Sequence, residues 1–188
     1  YVLSVPKRRL YELTETGQTI SVWDLSELHL LDPQGMVFAP DGDPTDDPAS
    51  MSLYIVDRGP AGGHGQASPG SRIVEVSLAA SAPAAPAASL SATLVSTVYI
   101  SMWSPPSPDP AGIAYLPGSN RLLISDSEVD EMPPYFTGKN VYTSTLFGSL
   151  QGTCSTTSFS DEPTGVAVNP GNEHIFFNKI AMISLTTI

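Results

Sequence analysis

Apolar residues in this chain gather into short blocks broken by Pro, Gly, Asn and Asp, and prolines interrupt almost every window in which a long helix would fit. Three stretches share one pattern. Asp32-Pro33-Gln34-Gly35-Met36-Val37-Phe38, Asp109-Pro110-Ala111-Gly112-Ile113-Ala114-Tyr115 and Glu162-Pro163-Thr164-Gly165-Val166-Ala167-Val168 each read acid-Pro-x-Gly and then an apolar run. Each run reaches a turn: Pro40-Asp41-Gly42, Pro117-Gly118-Ser119-Asn120 or Asn169-Pro170-Gly171-Asn172. A second apolar block follows and ends on a short polar residue, in Leu53 to Asp57, Leu122 to Asp126 and His174 to Asn178.

Each unit predicts a β-hairpin. Pro sets the entry, Gly allows close backbone approach, and the Pro/Gly/Asn segment turns the chain. Both apolar blocks are nearly continuous, which implies burial on two faces, as the inner strands of a propeller blade require. Outer strands are expected at Arg72–Leu78, which alternates as a half-buried strand does, and at Ala92–Tyr99. Their counterparts are Asn140–Leu146 and the stretch around Thr156 to Phe159. The chain opens with another outer pair, Arg9–Leu13 and Thr19–Trp23.

The expected organisation is a single all-β, partial propeller over residues 1–188. Residues 1–25 supply the outer strands of a split blade, 32–100 and 109–160 form blades, and 162–188 supply inner strands of a split blade. The spacing is uneven, 77 residues from Gly35 to Gly112 and 53 from Gly112 to Gly165. Gly42 to Ser50 and the Ala/Pro-rich Ala79 to Ala88 read as insertions, with Gly59 to Gly70 a further mobile candidate. Lys179 to Leu185 departs from the pattern but can run on as a third strand. These four-stranded antiparallel sheets amount to about three blades, whereas a closed ring takes about four to eight. Either missing chain completes the ring, or two copies form a six-bladed homodimer.

The run Leu53 to Gly59, followed after a loop by Arg72-Ile73-Val74-Glu75-Val76, resembles the core of an NHL-repeat blade. Most of residues 9–178 is similar to propellers of the NHL and SMP-30/gluconolactonase-like type. The resemblance implies architecture and leaves activity open.

Nineteen acidic against eight basic residues give a net charge of −11. Such a surface repels phosphate backbones, so nucleic acid is not expected as a partner. It suits either bound cations or plain solubility. One cysteine, Cys154, excludes an intrachain disulfide. Few lysines and many Ser, Thr and Pro predict a secreted or periplasmic protein. No apolar run is long enough to span a bilayer. No signal peptide is recognisable, but the first residue is Tyr rather than Met, so that absence carries no weight.

Asp32, Asp109 and Glu162 hold equivalent places at the start of the inner strands. Carboxylates gathered at a channel mouth repel one another unless a hard cation such as Ca²⁺ bridges them; otherwise they cap turns or accept backbone N–H bonds. In the SMP-30-like enzymes a Glu opening an inner strand binds the catalytic metal, and Glu162 is the nearest match. Asp57, Asp126 and Asn178 form a second set. In NHL-like blades such residues hold the following turn through backbone hydrogen bonds, with metal ligation the alternative.

Asp41 to Asp47 and Asp126 to Glu131 are acidic but lack the spacing of an EF-hand loop. His29, His64 and His174 lack metal-ligand spacing, Cys154 has no nearby His, and no G-x-S-x-G elbow occurs. Trp103, Tyr135 and Phe136 are candidates for a binding surface or for packing on the propeller face. Two functions follow, beside a third reading in which the chain is a structural spacer within a larger surface protein. One is a propeller module binding a small-molecule or protein ligand, with or without Ca²⁺. The other is a metal-dependent lactonase, esterase or phosphoesterase with its site at the central channel.

Overall fold

A computed structural model describes residues 1–43, 49–60, 70–78 and 89–179. It is all-β. Three strands open the chain: β1 (Val2–Ser4), β2 (Arg9–Leu13) and β3 (Thr19–Asp24). A meander follows, of β4 (Pro33–Pro40), β5 (Met51–Asp57), β6 (Arg72–Leu78) and β7 (Leu90–Tyr99). A second meander comprises β8 (Pro110–Leu116), β9 (Arg121–Asp126), β10 (Val141–Ser144) and β11 (Leu150–Cys154). The final pair is β12 (Pro163–Val168) and β13 (Ile175–Lys179). Among the described residues, helix is confined to three short 3-10 turns, and none is long or apolar enough to cross a membrane.

The three repeated segments form hairpins β4–β5, β8–β9 and β12–β13, each antiparallel. A register shift falls between Pro and Gly in all three, at Pro33/Gly35, Pro110/Gly112 and Pro163/Gly165. The acid-Pro-x-Gly motif is therefore a β-bulge. Its x residue is the extra one, and the bulge bends the strand where it enters the sheet.

Those bent entries lie side by side. Strand β8 packs against both β4 and β12. A Cβ built on Gly35 would lie 3.3 Å from the Gly112 Cα, and one on Gly112 would lie 3.1 Å from the Gly165 Cα and 2.8 Å from the Val166 amide nitrogen. Glycine is needed at 35 and 112 because backbone meets backbone there, and at 165 because a Cβ would run into the Asn178 side chain.

Both faces of β5 beyond Met51, and of β6 from Ile73 to Val76, are buried by side chains that alternate along each strand, whereas β4 is mostly half-buried and β7 is half-buried to exposed. Tyr54, Val56 and Ile73 join a core with Ile113, Leu122, Ile124 and Tyr142 of the second meander. Leu53, Ile55, Val74 and Val76 join a second core with Leu10, Trp23, Leu25 and Leu28. The seven-stranded sheet runs β1-β2-β3-β7-β6-β5-β4, and a short parallel pairing of β3 with β7 links its halves. It curls so that β2 and β3 face β5 and β6.

Three expectations are corrected. The fourth strand of the second meander is Leu150–Cys154, with a glycine in its middle, and not the stretch from Thr156. Thr156 is tied into a turn: its N–H donates to Asn140 Oδ1 at 2.9 Å and its carbonyl accepts from Phe159 N–H at 2.8 Å. The alternation along β6 does not mark a half-buried strand, because Glu75 is itself 3% exposed. A short first strand, β1, precedes the outer pair. Of the expected insertions, residues 44–48, 61–69 and 79–88 lie outside the described residues, as does the proposed continuation over 180–185.

Candidate functional site

At the bulged end of the central strands, two aspartates clasp their own hairpins. Asp57 Oδ1 accepts the Asp32 N–H at 2.7 Å, while the Asp32 carbonyl accepts the Arg58 N–H at 2.9 Å. One repeat later, Asp126 Oδ2 accepts the Asp109 N–H at 2.9 Å and the Asp109 carbonyl accepts the Ser127 N–H at 3.2 Å. The carboxylate that closes the second strand thus holds the residue that opens the first.

Their remaining valences are also used. Asp57 accepts from the Leu31 and Gly59 amides and pairs with Arg72, whose Nη2 lies 2.8 Å from Oδ2. Among the described residues Asp126 has no such cation. It accepts from the Ser107 hydroxyl at 2.7 Å and the Val129 amide at 3.0 Å. Complete burial pushes its pKa up to about 7, against the pull of these donors, with the nearby Asp109 carboxylate adding to the rise.

The third hairpin breaks the series. Gly112 pairs with Ser125 and Pro110 with Asp126, whereas Gly165 pairs with Asn178 and Pro163 with Lys179. Asn178 is therefore the counterpart of Ser125, and Lys179 stands where Asp57 and Asp126 stand. Chemical likeness suggested otherwise, but the 14-residue count from Gly112 to Asp126 is matched from Gly165 to Lys179, which puts Lys179 in register. The second set contains two carboxylates, not three acidic or amide side chains.

Asp32 and Asp109 do come together, and a side chain from the protein lies between them. Arg58 donates from Nε to Asp32 Oδ2 at 2.8 Å and from Nη1 to Asp109 Oδ1 at 3.3 Å. Burial raises the Asp109 pKa, Arg58 opposes that rise, and Glu128 adds to it. Glu162, half-buried beyond them, has no ion-pair partner among the described residues.

These donors do not fit a resident metal ion. The oxygens of Asp57 and Asp126 accept N–H and O–H donors, and a guanidinium already bridges Asp32 and Asp109. Among the described residues, no three His, Cys, Asp or Glu side chains are grouped to hold one.

The three aromatic candidates separate. Trp103 packs 5.9 Å from the Tyr142 ring and donates from Nε1 to the Gly148 carbonyl at 3.0 Å, so it serves the core. Tyr135 is 41% exposed and Phe136 half-buried, on a loop whose two amides both donate to the Met132 carbonyl. Cys154 is exposed at the end of β11.

Sequence reasoning missed Arg58, Arg72 and Glu75. A signal existed for each. Arg58 directly follows a candidate acid, Arg72 opens the strand paired with Asp57, and Glu75 interrupts an otherwise apolar run. No family model matches the chain, and no curated protein or solved structure matches it either.

Proposed function

We propose that this chain is part of a β-propeller and that it acts as a ligand- or protein-binding module rather than a metal-dependent hydrolase. The observation that carries the reading is the Arg58 bridge between Asp32 and Asp109. It joins two repeated hairpins at the position where the hydrolase alternative needs free carboxylates. Packing supports the propeller: sheets are stacked face to face, and three bulged strands lie adjacent through a column of glycines. A full ring would then come from further chain or from a second copy. A mass measurement in solution separates those two completions.

The functional test is an assay of the purified protein on lactone, carboxylic-ester and phosphomonoester substrates, with and without Ca²⁺ or Zn²⁺. The expected result is no turnover and no metal-dependent rise in melting temperature. Metal-dependent turnover abolished by Glu162→Gln or Asp109→Asn would overturn the reading.

A further inference from the structure

At the opposite ends of β4 and β8, away from the bulges, three turns enclose a cleft of about 330 Å³. Asp41 and Gly42 form one wall, the β8–β9 turn a second, and the β10–β11 turn a third. We propose that this cleft binds a neutral pyranoside. The inference rests on the binding-module reading and gives that module a ligand class.

Charge is the first argument. Asp41 and Arg121 both line the cleft, in a chain of net charge −11. Arg121 has no ion-pair partner among the described residues. An anionic ligand meets Asp41 and a cationic one meets Arg121, so an uncharged ligand able to donate to one and accept from the other fits both. Hydroxyl groups do this.

The other lining groups agree. Asn120 accepts the Tyr115 O–H at Oδ1, 2.8 Å away, which leaves its amide –NH₂ to donate. Thr145, whose Oγ1 accepts the Ser149 N–H at 3.1 Å, adds a hydroxyl proton, and Gln151, whose Nε2 donates to the Ser149 and Leu150 carbonyls at 3.4 Å, adds an amide oxygen. Phe147 leaves an apolar ring 56% exposed at the same cleft. Mixed donors and acceptors beside one aromatic face complement a pyranose, which has hydroxyls at its edge and C–H groups on its faces.

The walls are fixed before any ligand arrives. Glu75, 3% exposed, accepts the Gly42 N–H at 2.9 Å and the Tyr54 O–H at 3.0 Å on Oε1, and the Ser96 O–H at 2.8 Å on Oε2. Only neutral donors reach it among the described residues, an expensive place for a carboxylate. What it secures is the Asp41–Gly42 wall. The Trp103 indole N–H pins the facing turn through the Gly148 carbonyl. Fixed walls reduce the ordering cost of binding.

The test is an amide-shift titration of the full chain by nuclear magnetic resonance, using methyl β-D-glucopyranoside, methyl β-D-galactopyranoside and methyl α-D-mannopyranoside in turn. At least one should shift the Gly42, Asn120, Arg121, Phe147 and Gln151 amides. Phe147→Ala and Arg121→Ala should each weaken that binding about tenfold, with melting temperature unchanged. No shift with any of the three overturns the inference. Shifts confined to the Asp32 and Asp57 end also overturn it, while leaving a binding module. Hydrolysis of a bound glycoside would instead overturn the binding-module reading and keep the cleft.

Discussion

Arg58 joins two repeats by donating from Nη1 to Asp109 Oδ1 at 3.3 Å while its Nε and Nη2 hold Asp32. The Asp109 side chain is only 5% exposed and that of Arg58 is 31% exposed, so the contact is partly screened on one side. Arg58→Met should destabilise the fold by about 1–3 kcal/mol, below the cost of breaking a fully buried pair. Asp109→Asn combined with Arg58→Met should cost less than the sum of the single changes. Urea midpoints of the four proteins give the coupling. Strict additivity would show that the pair contributes nothing.

Glycine at the bulge is a steric requirement. Gly112→Ala would place a Cβ 2.8 Å from both Ser125 Oγ and the Val166 nitrogen. Gly35→Ala meets its nearest neighbour at 3.2 Å. The first change should cost about 2–3 kcal/mol and the second less, about 1 kcal/mol. Thermal melts of the two variants should fall in that order. The reverse order would mean that β8 and β12 do not approach as described.

Much of this fold was legible in the chain, because the acid-Pro-x-Gly bulge needs its own residues wherever it recurs. Strand β5 is buried on both faces and β4 packs its two faces against the two cores, so those strands show as apolar runs. The outer strands were harder to place. Leu150–Cys154 contains Gly152 and has little β-branched character, whereas Thr156 to Phe159 has the composition of a strand and is a turn. The candidate site was half legible. Asp32 and Asp109 could be picked out by repetition, but Arg58 occurs in one repeat only and has Ser127 as its counterpart. Asn178 misled because it resembles Asp chemically while sitting one position out of register.

Asn140 is what turns Thr156 away from the sheet. It is fully buried, donates from Nδ2 to Thr156 Oγ1 at 2.8 Å, and accepts the Thr156 N–H at Oδ1. Asn140→Ala leaves that buried N–H without its acceptor and should cost roughly 2–3 kcal/mol. Hydrogen exchange at Thr156 should accelerate by more than exchange at Ile124 in the core. Equal acceleration at both would mean that the substitution acts globally and that Asn140 does not hold this turn.

Asp126 makes stability depend on pH with an unusual sign for an aspartate. Its folded pKa, about 7, lies above its ordinary value, so the folded state holds the proton more tightly than the unfolded chain does. The favourable contribution is complete at pH below the ordinary carboxylate value and is lost as pH rises through about 7. Burial raises Asp109 in the same direction and reinforces the trend. Asp126→Asn cannot ionise and should remove the Asp126 share, on the order of 2–4 kcal/mol between acid and neutral pH. Urea unfolding of both proteins at pH 5 and pH 8 checks this. The wild-type protein should lose more stability than the variant on going to pH 8; an equal or smaller loss would show that the three donors at Ser107, Asp109 and Val129 outweigh burial and keep Asp126 ionised.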